Sequence, residues 1–215
     1  MTTQSKSYSY YFSQNVDGVE MPLHDLSTYN LNLNINDAKA IYKTGINHFT
    51  GLNGTPVNKN LSVIFYMEAI RLGSADAMVE LGHLYEIGDY VDKDCDEAVR
   101  LYSLAASLLH CEGQFSLGNC FEYGIGVVAN KTIAIRLYKL AAEGGSQYAQ
   151  YTLYEMYDVG YNVEKDEVLA NHYLDMATNN GALLYRANAD GGFDVMDIYG
   201  PNVDAVDTND EKINN

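Results

Sequence analysis

The sequence predicts an all-α protein, an α-solenoid of about four antiparallel helix-turn-helix repeats closed by a helical C-terminal cap. Three observations predict it. Side chains recur at a step of 36 residues, each recurring unit holds two runs with helical apolar spacing, and only Pro22, Pro56 and Pro201 interrupt the chain. All three prolines fall where the repeat pattern leaves a flank or a loop, so the long segments between them are free to be helical.

The step is carried by several residue classes at once. Leu81, Leu117 and Leu153 share it, and Tyr85, Phe121 and Tyr157 follow four residues later in each copy. Gly88, Gly124 and Gly160 keep the same step, as do Val91, Val127 and Val163, then Asp94, Asn130 and Asp166, then Ala98, Ala134 and Ala170. Ala69, Ala105, Ala141 and Ala177 extend it to four copies. The array occupies 37–181, divided as 37–73, 74–108, 109–144 and 145–181.

Within a copy, residues 75–87 place Met78, Leu81, Leu84 and Tyr85 on one helical face, and Gly88 stops the run. This is helix A. Asp94, Asn130 and Asp166 precede the next apolar-periodic run, where a short side-chain oxygen accepts from first-turn amides, and helix B follows each of them. Asp94 with Glu97 also fits a capping box. Alanines on helix B remove the bulk that would hold the two helices apart, so the facing aromatic residues Tyr85, Phe121 and Tyr157 enter as knobs.

Stepping back by 36 from the second copy aligns Gly45 with Leu81, Phe49 with Tyr85, Tyr66 with Tyr102 and Ala69 with Ala105, a degenerate first repeat. After Gly181 the pattern decays, and 182–199 is expected to be a helical cap. Residues 1–36, with an extended LNLNIN segment at 31–36, and the acidic 200–215 are poor in core formers and are expected to be largely disordered.

The successions AMVELGHLY at 77–85 with Gly88, GIGV at 124–127, V-x-K-D at 91–94 and 163–166, and LYKLAAEG at 137–144 resemble the Sel1-like repeat family of tetratricopeptide-related solenoids. The resemblance covers about 38–181. The tryptophan often found before the helix-B tyrosine is replaced by Phe65, Leu101, Leu137 and Tyr173, and the cysteine pair of secreted members has no counterpart in each repeat. The resemblance implies a scaffold or adaptor that brings proteins together, with helix A lining the binding surface, and it implies no enzyme and no cofactor.

Composition narrows the partners. Hydrophobic residues make up 47% and charged residues 20% of the 215, a globular balance. With 29 acidic against 13 basic residues the formal charge is −16, which repels nucleic-acid phosphates and anionic lipid. A protein partner whose basic or neutral peptide or helix binds the concave face is expected, self-association of the array is the alternative, and an enzyme with an unrecognised site in the groove is the remaining reading. The N-terminus has no apolar core of a signal peptide and no run is long enough to span a membrane. Three cysteines, Cys95, Cys111 and Cys120, make no paired frame, so a reducing, cytoplasmic setting is expected.

Candidate chemistry is sparse. Asp92, Asp94 and Asp96 alternate as in a calcium loop, but the turn glycine and closing glutamate of that geometry are missing. Gly124-Ile125-Gly126 follows a helix and lacks the third glycine of a phosphate loop. The five histidines show no metal spacing. No catalytic or metal residue is assigned. Partner-binding candidates are the helix-A residues off the core stripe, in three columns: Val79, Phe115 and Tyr151; His83, Asn119 and Glu155; Glu86, Glu122 and Asp158. Together they make an acidic and aromatic face suited to Lys or Arg through cation-π contact and electrostatic steering.

Overall fold

The structure, a computed structural model, describes residues 37–179 and the backbone of residues 184–187 and 193–196. The segments expected to be disordered, 1–36 and 200–215, lie outside the described residues. Eight α-helices of 13 residues each are present among the described residues: α1 Ala38–Thr50, α2 Lys59–Arg71, α3 Ala75–Ile87, α4 Cys95–Ser107, α5 Cys111–Tyr123, α6 Lys131–Glu143, α7 Gln147–Val159 and α8 Glu167–Asn179. Odd-numbered helices are helix A and even-numbered helices helix B of successive repeats. The chain divides after Gly144 into two units, the first holding α1 to α6 and the second α7 and α8.

Start and stop chemistry repeats with the helices. Asp37, Ser74 and Ser146 accept first-turn amides of helices A, and Asn58, Asp94, Asn130 and Asp166 do so for helices B. His110 takes this place for α5, its Nδ1 accepting from Gly113 N–H at 3.3 Å. At the other end Gly51, Gly88, Gly124 and Gly160 sit in the left-handed region that ends helix A and return their N–H to the last turn. The capping box expected at Asp94 closes only halfway. Asp94 accepts from Glu97 N–H, but the Glu97 carboxylate is taken by Arg100 through two bonds of 2.6 Å.

In the first unit each helix pair is locked by a tyrosine on a glycine. Tyr66, Tyr102 and Tyr138 of helices B are fully buried, and a Cβ built on Gly45, Gly82 or Gly118 of the facing helix A would lie 2.7, 2.5 or 2.6 Å from the ring. No larger residue fits there without moving the ring, and each buried ring contributes on the order of 2 kcal/mol by leaving water. The alanines at 69, 98, 105, 134 and 141 are buried as expected. The tightest knob therefore points from helix B into helix A, and the expected knobs Tyr85 and Phe121 pack alongside it.

The first repeat is out of the expected register on helix A. The Asn58 N–H returns to the His48 carbonyl, as that of Asp94 returns to Tyr85 and that of Asn130 to Phe121. His48, not Phe49, is thus the counterpart of Tyr85, and Gly45 that of Gly82, not Leu81. The cause is one extra residue between helices: 51–58 links α1 to α2, whereas 88–94 links α3 to α4. Helices B keep the step of 36, and helix A of the first repeat stands 37 before the second.

In the second unit the lock is exchanged. Tyr154 stands where the glycine would be and Leu174 where the tyrosine would be, Tyr157 stacks on Tyr173 at 5.9 Å, and Ala170 and Ala177 are buried. Beyond α8, the described residues of the segment 182–199, expected to be a helical cap, are strands instead. Strands β1, Leu184–Ala187, and β2, Phe193–Met196, pair antiparallel, with Leu184 opposite Met196 and Ala187 opposite Phe193.

Candidate functional site

Helix A carries a stripe at three-and-four spacing that is only partly covered by its neighbours. On α3 it is the exposed Asp76, His83 and Ile87 with the half-buried Glu80, and on α5 the exposed Tyr123 with the half-buried Glu112, Phe115 and Asn119. Ile87 and Tyr123, the last residues before the terminating glycines, are 70% and 65% exposed. They hold the same place in their repeats, as does Val159 in the second unit.

The expected columns fall on this stripe only in part. Val79 is 5% exposed and belongs to the core. Glu122 is 7% exposed and its Oε2 receives the Tyr138 hydroxyl at 2.6 Å, which also lies 2.7 Å from Asn119 Oδ1. Glu86 receives the Tyr102 hydroxyl at 2.8 Å. Glu86 and Glu122 therefore tie helix A to helix B. Burial, then the adjoining carboxylate, pushes the Tyr102 and Tyr138 hydroxyls well above the ordinary phenol range, so both remain protonated donors.

His83 is exposed, its Nε2 is 3.2 Å from Ser116 Oγ of the next helix A, and its ring meets Tyr102 edge-on at 5.4 Å. Phe115 leans on Tyr138, ring centroids 5.5 Å apart. In the second unit Glu155 is exposed, Asp158 is half-buried, and Tyr151 packs on Tyr154 at 5.7 Å. Burial, with the Glu155 charge second, raises the Tyr151 hydroxyl.

Sequence reasoning passed over Asp76, Glu80, Ile87, Glu112 and Tyr123. Counting back in helical steps from each terminating glycine would have found them. It also passed over α1, whose matching stripe is Lys39, Lys43, Ile46 and Thr50. Glu80 is half-buried and its carboxyl is raised, by desolvation first, with the His83 charge opposing and Asp76 adding. Asp76 meets His110 Nε2 at 3.2 Å, so one imidazole both caps α5 and ties it to α3.

Among the described residues no group of three or more His, Cys, Asp or Glu side chains is placed to hold a metal ion, and no helix is long and apolar enough to cross a membrane. The Asp94 carboxylate of the acidic loop is spent on its helix cap.

Paired helices of equal length, capped at matching places and in three of the four pairs locked by tyrosine on glycine, define a helix-hairpin repeat protein of the tetratricopeptide-like class. The chain belongs to the Sel1 repeat family, whose repeat matches residues 38–74, 75–108, 111–146 and 147–181. Among solved structures it is similar to a Sel1 repeat protein from Oxalobacter formigenes, with 31% identity and a TM-score of 0.63 over 66% of this chain and 57% of that one. It is also similar to a protective antigen of uropathogenic Escherichia coli strains that displays the same repeat fold, with 30% identity and a TM-score of 0.59 over 67% of this chain and 31% of that one. The chain thus spans little more than half of the first and about a third of the second. No curated protein sequence matches it.

Proposed function

We propose that the exposed helix-A stripe of α3 and α5 binds a segment of another protein, and that the chain acts as a non-enzymatic scaffold or adaptor. Repeats of this family generally mediate protein–protein interactions. The observation that carries the reading is the pair Ile87 and Tyr123, two large apolar side chains held in water at equivalent places, on a stripe whose other end carries Asp76, Glu80 and Glu112. Buried aromatic anchors ringed by polar groups are what protein interfaces use for affinity. Over α3 and α5 the bound segment is basic or neutral, its cation meeting the carboxylates and its apolar side chains covering Ile87 and Tyr123. His83, Phe115 and Asn119 complete the surface. In the second unit Tyr151, Glu155 and Asp158 offer the same residue types on α7. Three free thiols fit a reducing, intracellular setting.

The test is affinity capture from the native cell with the whole chain as bait, compared with a chain carrying Ile87→Lys and Tyr123→Lys. Both positions are exposed, and an unchanged melting temperature shows that the fold is retained. Loss of the captured partner by tenfold or more is expected, and unchanged capture would overturn the proposal.

A further inference from the structure

The register of the first repeat reveals a reversal of charge along the helix-A stripe. With the offset of 37 applied, Lys39 of α1 stands where Asp76 stands on α3 and Glu112 on α5, and Lys43 stands where Glu80 stands. With the uniform step of 36 the match is lost, because Asp76 then falls on Ala40 and Glu80 on Thr44. Helix α1 contains no acidic residue, and helices α3 and α5 contain no lysine or arginine. Lys39 and Lys43 are both exposed, and no side-chain hydrogen bond or ion pair engages either ammonium among the described residues. The Asp37 carboxylate beside them is committed to the amides of Lys39 and Ala40. The acids of α3 lie close enough to α1 for Glu80 and Asp76 to help raise the Tyr42 hydroxyl, behind burial as the main cause. In a chain of net charge −16, this positive step at one end of an otherwise acidic stripe is a local feature with its own complement.

We propose that the helix-A stripe of the first unit takes a bipolar segment of a partner protein, with a carboxylate side chain over Lys39 and Lys43 and an ammonium or guanidinium over Asp76, Glu80 and Glu112. The proposal rests on the reading of that stripe as a protein-binding surface and adds the segment's charge order and its direction along the repeats. Neighbouring helices stand about 10 Å apart, which an extended chain covers in about three residues. The partner's acidic and basic residues are therefore about three positions apart. Like-charge contact in the opposite direction costs affinity, so the reversal also sets polarity, as charge patterns do at other interfaces.

The experiment uses the full 215-residue chain to select binders from a displayed library of random dodecapeptides at low salt, followed by synthesis of the enriched peptides. Enriched sequences are expected to pair an acidic with a basic residue about three apart. Their affinity should fall roughly tenfold on Lys39→Glu with Lys43→Glu, and return when the peptide's acidic residue is replaced by lysine. All three measurements use exposed positions, and an unchanged melting temperature confirms that each variant is folded. Peptides that lose binding on Ile87→Lys and Tyr123→Lys yet ignore the lysine reversal overturn the bipolar proposal alone. Peptides indifferent to both sets of changes, or no enrichment at all, overturn the binding surface together with it.

Discussion

The Tyr102 hydroxyl lies 2.8 Å from Glu86 Oε2, and 36 residues on the Tyr138 hydroxyl lies 2.6 Å from Glu122 Oε2. Each bond joins helix B to helix A inside one repeat. The first repeat breaks the series: Phe49 occupies the acceptor's place, and Tyr66, only 1% exposed, has a hydroxyl without a partner among the described residues.

Removing these hydroxyls one at a time should therefore give unequal costs. Tyr138→Phe leaves the buried Glu122 carboxylate short of a donor and should cost about 2–3 kcal/mol, and Tyr102→Phe, over the less buried Glu86, about 1–2 kcal/mol. Tyr66→Phe removes an unsatisfied group and should be neutral within about 0.5 kcal/mol or slightly stabilising. Urea denaturation of the three variants checks the order, and a large loss for Tyr66→Phe would show that its hydroxyl has a partner in solution.

Leu109 is held at φ +61, where the corresponding loops of the other repeats carry Gly73 at +89 and Gly145 at +98. The left-handed conformation costs a non-glycine residue about 1–2 kcal/mol, and Leu109 recovers little of it by packing, being 80% exposed. Leu109→Gly should raise the melting temperature by about 2–4 °C. Gly73→Ala should lower it similarly, although nothing lies within 4 Å of the added Cβ, because the cost is conformational. Calorimetry of both variants decides this, and opposite signs would show that Leu109 is packed in solution.

Much of this was legible in the sequence because the repeat is written in side chains with local jobs. The N-caps Asp94, Asn130 and Asp166 and the terminating Gly88, Gly124 and Gly160 act within a few residues of themselves, and a fixed step exposes them. What was illegible is non-local. Glu86 and Glu122 look like solvated helix-A residues until the tyrosine sixteen positions later is known to face them, and Val79 reads as off-stripe until the folded core is seen to bury it. The inserted residue between α1 and α2 hid itself, since Phe49 is a plausible counterpart for Tyr85. The strand pair at 184–196 is short, and its apolar residues fit helical spacing nearly as well as alternation.

Two residues after the terminating glycine each A–B loop has a further left-handed residue, Asn53, Tyr90, Gly126 or Asn162, with φ between 56 and 63, so glycine is not required there for conformation alone. At Gly126 the reason is proximity: an added Cβ would lie 2.4 Å from the Cys95 carbonyl oxygen at the start of α4. The preceding repeat solves the same junction differently, with the Tyr90 ring 4.4 Å from the Lys59 ammonium at the start of α2. Gly126→Asn, tolerable in dihedral terms, should thus cost about 2–3 kcal/mol through the clash, while Asn162→Gly costs about 1 kcal/mol or less. Equal small costs at both positions, measured by thermal unfolding, would remove the argument from the Cys95 carbonyl.

Alkaline pH should weaken the fold in a defined window. Burial holds the Cys120 thiol up at about 12 against an ordinary 9.0, and burial followed by the Glu80 and Asp76 charges holds the Tyr42 hydroxyl at about 12 against 10.0. Each group loses its proton earlier in the unfolded chain than in the folded one. Their contribution is therefore fully present below about pH 9 and falls as pH rises toward 12, because the unfolded state there binds fewer protons. Tyr66, Tyr102 and Tyr138 are raised in the same direction, also chiefly by burial, and add to the same loss. The urea midpoint should be flat between pH 7 and about 8.5 and decline from about 9 upward. Ultraviolet titration should meanwhile show a class of tyrosines that ionises only as the helical signal collapses. Ionisation of every tyrosine near pH 10 with the helical signal intact would mean that the rings of Tyr102 and Tyr138 are wetter than their packing on Gly82 and Gly118 allows.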